Sequence, residues 1–98
     1  MGKENLFELM EAYRRDKGIV SDVEFCRRLD NVTGYTISPQ TLTKYKQIHR
    51  KVPPEFMAAV CLTLDLKVSQ MTALLDAYFT DTRTQYTKDM NDAFDRFD

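Results

Sequence analysis

Gln40, Thr43 and Lys44 fall at i, i+3 and i+4, a spacing that gathers side chains on one face of a helix. Their chemistry suits the edges of nucleic-acid bases. A glutamine amide can bond adenine bidentately, a lysine ammonium can reach O6 and N7 of guanine, and a threonine methyl can touch the methyl of thymine. Around them stand groups better suited to phosphate: Arg27, Arg28, Thr41, Gln47, Arg50 and Lys51. Contacts of that kind position a chain on a nucleic acid without reading its sequence. His49, between these groups, could join them when protonated, or reads as a solvated side chain.

The net charge of the 98 residues is −1, so the distribution of charge matters more than its sum. Residues 27–51 hold six basic groups (Arg27, Arg28, Lys44, Lys46, Arg50 and Lys51) against the single acid Asp30. The segments before and after are both acidic. A phosphate-binding face needs such a local excess, not a basic protein overall.

Six helical segments are expected to carry these groups. Leu6, Leu9, Met10 and Tyr13 form one apolar stripe, which Asn5 can cap and Gly18 can stop. Ser21 and Glu24 make a capping box for a second helix with a Val23, Cys26 and Leu29 stripe and Phe25 beside it. That helix can run through Val32 to a stop at Gly34, although Val32–Ile37 also reads as a candidate extended stretch. Ser38-Pro39 starts a third helix, with Ser as the cap and Pro at the first helical position. Leu42 and Tyr45 face inward on it, and most of its circumference is polar. After Val52-Pro53-Pro54, a broad apolar surface of Phe56, Met57, Val60, Cys61, Leu62 and Leu64 marks the most buried helix. Ser69 is expected to cap a fifth helix carrying Met71, Leu74, Leu75, Tyr78 and Phe79. Tyr86, Met90, Phe94 and Phe97 recur along the acidic tail as the stripe of a sixth, with Asp81 or Thr82 as its cap.

In this order the segments resemble the phage repressor and Cro-like helix-turn-helix family, also called the xenobiotic response element family. The resemblance rests on Phe25-Cys26-x-x-Leu29, on Ile37-Ser38-x-x-Thr41-Leu42-Thr43-x-Tyr45, on Arg50-x-Val52-Pro53, and on Leu62-x-Leu64-Asp65-Leu66 through Ser69 to Leu74-Leu75. It covers about residues 4 to 79. It implies an all-α, five-helix, lambda-repressor-like domain at 1–79, with residues 80–98 as an acidic amphipathic helix or tail. It also implies a recognition helix at about 39–49 lying in the major groove of double-stranded DNA. On that reading Gln40, Thr43 and Lys44 meet bases, while Arg27, Arg28, Thr41, Gln47, Arg50 and Lys51 meet phosphates. The chain departs from the family in four places, one of them Ile48, where the family often has Gly. Seven residues, Asp30 to Thr36, stand between Leu29 and Ile37, where the family has about one. Lys46 takes the place of a family Glu, whose arginine partner aligns with Arg15. Asp22 stands at the start of the second helix, where a carboxylate repels phosphate unless it serves the helix start.

The expected function is therefore a sequence-specific DNA-binding regulator, repressor-like and Cro-like in size. The alternative is a protein–protein interaction module on the same scaffold. A small reading head favours a homodimer on a two-fold site, and Tyr86, Met90, Phe94 and Phe97 could supply the contact; the alternatives are that this stripe folds back on the core or that the tail frays. No Gly-rich phosphate loop is present, and the tail carboxylates read as a solvated face, so no catalysis is expected. Cys26 and Cys61 sit at apolar positions and read as core. One His and no Cys-x-x-Cys leave no metal site and no cofactor in view. No apolar run approaches the roughly 20 residues that span a bilayer. MGKENLFELM has neither a secretory leader nor, with Leu6 in place of Ser or Thr, a myristoylation pattern, so a cytoplasmic location is expected.

Overall fold

A computed structural model describes residues 6–48, 52–82 and 86–97, and all of the regular structure among them is helical. The order is α1 (Leu6–Asp16), α2 (Asp22–Thr33), α3 (Pro39–Gln47), α4 (Pro54–Thr63), α5 (Val68–Thr82) and α6 (Tyr86–Asp95). Asn5, the expected cap of α1, lies outside the described residues.

Local chemistry sets most of these boundaries. At the end of α1 the Gly18 N–H reaches the Arg15 carbonyl at 2.9 Å and the Ile19 N–H reaches that of Arg14 at 3.1 Å. This double closure turns on Gly18 at φ +77°, a left-handed conformation that costs glycine nothing. Ser21 accepts the Glu24 N–H at 3.1 Å and so caps α2. Glu24 does not complete the box. Its carboxylate turns along the helix to Arg27 and Arg28 instead. The stop at Gly34 forms as expected, with φ +77° and its N–H on the Asp30 carbonyl. Thr33 closes the same turn, donating to the Leu29 carbonyl and accepting from the Tyr35 N–H. The extra residues 30–36 are thereby shared out: four extend α2 and the rest enter a turn at 34–38. The candidate extended stretch at Val32–Ile37 forms no strand.

Two caps differ from expectation. Ser69 lies inside α5, because Gln70 reaches back to accept the Lys67 N–H at 2.9 Å and the helix starts at Val68, two residues earlier than a Ser69 cap would set it. Asp81 and Thr82, the expected caps of α6, belong to the end of α5, which runs past position 79. The expected division between 79 and 80 thus falls inside a helix.

α4 lies at the centre of the fold. From Phe56 to Cys61 each of its residues is buried, as befits a helix that is apolar on all sides. Leu62, expected in the same surface, is exposed at its end. α2 packs on one flank of α4 and α6 on another, α1 packs against α5, and α3 packs against α2. α2 contributes Phe25, Cys26 and Leu29 to the core, while Val23 is 65% exposed. Val23 lies about 120° round the helix from Leu29, off the face that meets α4. Met90 and Ala93 of α6 are buried, with Phe94 and Phe97 packed partly against the same core. The stripe expected to join two copies is therefore spent largely on the chain's own core. The Tyr86 side chain lies outside the described part.

Tyr78 ties these layers together. It is fully buried, and its hydroxyl donates to the Val52 carbonyl at 2.7 Å. The bond joins α5 to the strand of chain entering α4. Tyr78→Phe removes only the hydroxyl and leaves that carbonyl without its donor. We expect a loss of about 1–2 kcal/mol, read as a lowered urea midpoint at unchanged slope.

Candidate nucleic-acid interface

α3 is a short helix held by few apolar contacts. Ser38 accepts the Thr41 N–H at 3.1 Å, and Pro39 occupies the first turn. Leu42 is its one fully buried residue. Tyr45 is half-buried and meets the Phe56 ring of α4 edge-on, at 5.3 Å between centroids. The opposite face presents Gln40, Thr43, Lys44 and Gln47, all exposed and spaced i, i+3, i+4 and i+7. The three expected base-reading residues and Gln47 thus share one outward face. Thr43 donates its hydroxyl to the Pro39 carbonyl at 3.0 Å, so its methyl is the group most available to a partner. Lys44 makes no ion pair among the described residues.

The remaining expected residues are distributed differently. Thr41 is half-buried, and its hydroxyl lies 3.0 Å from that of Ser38, within the cap. Arg27 and Arg28 are exposed on α2, and both pair with Glu24, Arg28 at 2.9 Å. Their pull holds the Glu24 carboxyl below its ordinary value, so it stays charged beside them. Arg50 and Lys51, with His49, lie outside the described residues.

The structure adds a feature that residue types alone did not single out. Asp22, at the first position of α2, accepts from Arg14 of α1 at 2.7 Å and from Lys46 of α3 at 3.1 Å. Lys46 also lies 3.2 Å from Glu11 of α1. Two acids and two bases thus join three helices at one point. The arginine in this cluster is Arg14, not the Arg15 that the family resemblance picks out; Arg15 is exposed. Arg14 is 10% exposed at its side chain and lies over the Phe25 ring at 5.5 Å. Lys46, counted above with the basic excess, is turned inward and takes no part in the outer face. The signal was available: Lys46 follows the buried Leu42 by four residues and so falls on its side of the helix. Asp22 is neutralised by its partners instead of facing outward as a bare repulsive charge.

Burial raises the affinity of the Asp22 carboxyl for a proton, but the hydrogen bonds and charges of Arg14 and Lys46 outweigh it, and its pKa falls below the ordinary 3.8. The cysteines take no part. Burial pushes Cys61 up to about 12, and burial together with the Asp22 charge raises Cys26, so both stay as thiols.

Comparison with protein-family models, with curated proteins and with solved structures finds no match to this chain. No helix among the described residues is long and apolar enough to cross a membrane.

A depressed carboxyl pKa stabilises the fold above the unfolded value and loses that effect as pH falls through the folded one. Asp22→Asn leaves Arg14 buried without its counter-charge, and we expect it to cost about 2 kcal/mol at neutral pH. The gap between the variant and the parent chain should close in acid, as Asp22 of the parent takes up its proton. Denaturation midpoints followed across the acid range read both effects.

Proposed function

We propose that this chain is a sequence-specific DNA-binding regulator that lays α3 in the major groove, with α2 and α3 as its helix-turn-helix. One observation carries the reading: Gln40, Thr43, Lys44 and Gln47 form a continuous outward polar face while Leu42, Tyr45 and Lys46 hold the other side to the scaffold. Gln40, Thr43 and Lys44 then read base edges, and Gln47 meets phosphate. Arg27 and Arg28 exchange Glu24 for phosphate oxygens on binding, because an exposed ion pair is weak enough to be given up. Arg50 and Lys51 follow α3 in sequence and serve the phosphate backbone. α6 lies against α4, so pairing of two copies through Met90, Phe94 and Phe97 would require it to leave that seat; the half-site geometry then rests on another surface or on a single copy.

The second reading is a protein-interaction module on the same helices. It is favoured by the pairing of Arg27 and Arg28 with Glu24 and by the inward turn of Lys46, which leave the described outer face less basic than the sequence count suggests.

Selection from a random DNA pool tests the two readings. The DNA reading expects an enriched motif and binding that weakens steeply with salt. Gln40→Ala should relax the preference at one base pair, by about 1–3 kcal/mol. Lys44→Glu should abolish enrichment while leaving the thermal midpoint unchanged, since Lys44 carries no fold contact. No enriched motif, or a Lys44→Glu chain that binds as well as the parent, overturns the DNA reading.

A further inference from the structure

A cleft of about 570 Å³ opens to solvent between the turn after α2, the start of α4 and the turn that follows α6. Its size lies within the roughly 300–1,000 Å³ of small-ligand sites. Tyr35, Pro53 and Phe97 supply apolar surface to it, and Thr36, Glu55 and Arg96 supply polar groups. The walls depend on the two parts of the chain least expected from the family pattern, the lengthened α2–α3 connection and α6.

The polar groups are not balanced. Arg96 donates from one terminal nitrogen to Glu55 at 2.9 Å. A guanidinium has five N–H donors in a planar fork, so most of its capacity is left unused among the described residues. Its side chain is 67% exposed against 32% for Glu55. Glu55 has a second source of stabilisation besides Arg96, because it sits in the first turn of α4 where the helix dipole favours an anion. The cleft thus offers unused donors beside aromatic walls. Tyr35 keeps its proton, since burial and the neighbouring Tyr45 raise its pKa well above the ordinary phenol value, and its hydroxyl brings no negative charge to the site.

We propose that this cleft binds a small aromatic carboxylate, its ring between Tyr35, Pro53 and Phe97 and its carboxylate on the free edge of the Arg96 guanidinium. The exposed Arg96–Glu55 pair is shared with the ligand without a large loss. Occupancy reaches α3 through Tyr35, which neighbours Tyr45 directly and shares the Phe56 ring with it. Tyr35 leans on Phe56 at 6.1 Å between centroids, and Tyr45 of α3 meets the same ring at 5.3 Å. The site does not depend on what α3 binds.

The test is an amide-shift titration of the full ¹⁵N-labelled chain with benzoate, alongside benzamide and acetate. Benzoate should give saturable shifts at Gly34, Tyr35, Thr36 and Phe97, with a smaller saturable shift at Tyr45. Benzamide, which keeps the ring and lacks the charge, and acetate, which lacks the ring, should each bind about tenfold more weakly or less. Arg96→Gln should weaken benzoate by about tenfold and leave benzamide unchanged. Phe97→Ala should weaken both aromatic probes. Shifts that never saturate, shifts scattered over the surface, equal binding of benzoate and benzamide, or an indifferent Arg96→Gln would each overturn the proposal. Shifts at the cleft that saturate without movement at Tyr45 would retain the site and overturn its link to α3. None of these readings involves DNA, so they stand or fall apart from the function proposed above.

Discussion

The orientation of α3 rests on an unusual division of labour between one buried aliphatic residue and a knot of charges. A nine-residue helix with Leu42 as its one fully buried side chain has little hydrophobic surface with which to fix its rotation. Asp22 supplies what burial does not. It receives Arg14 from one helix and Lys46 from another, and Glu11 shares the lysine. Ion pairs are directional where hydrophobic burial is not, so the cluster fixes which side of α3 looks outward. Arg14 is the costly member, because its guanidinium is nearly buried and its Nε has no hydrogen-bond partner among the described residues. Its carboxylate partner and the face of Phe25 offset that desolvation.

The second tie is aromatic. Phe56 is fully buried in α4 and receives both Tyr35 from the turn and Tyr45 from α3, two tyrosines that neighbour each other. The turn and the helix that follows it therefore share one packing partner. This explains how the connection leaves α3 firmly placed: α2 runs to Thr33, Gly34 closes it, and the ring of Tyr35 anchors what remains.

The sequence made the helices legible because their ends are marked by local chemistry. Ser21, Ser38-Pro39, Gly18 and Gly34 each solve a problem of unpaired backbone groups, and such solutions show in residue type. Where two residues could solve the same problem, the sequence was ambiguous. Ser69 is a better cap by type than Lys67, yet the Gln70 amide reaching back decides the start of α5. Val23 was misplaced because an i, i+3, i+6 spacing drifts around a helix, and only the position of α4 tells which edge of the stripe is covered. The outward face of α3 was readable from Leu42 and Tyr45 alone. The charged cluster behind it was not, since Arg14, Asp22 and Lys46 are 8 and 24 residues apart in sequence and meet only through packing. The same holds for Glu55 and Arg96, 41 apart, and for the seat of α6: an amphipathic stripe states that something covers it and leaves open whether the cover is its own core.

Gln40, Lys44 and Gln47 touch none of these ties, and Thr43 adds only a bond within its own helix. Surface positions of that kind tolerate exchange at costs of roughly half a kcal/mol or less. The outer face of α3 can thus be rewritten residue by residue over evolutionary time without passing through unfolded intermediates. Asp22 and Lys46 have no such freedom, because a change of sign at either needs matching changes at the other and at Arg14 and Glu11. The molecule separates a face that is free to diverge from a hinge of charges that can change only as a set.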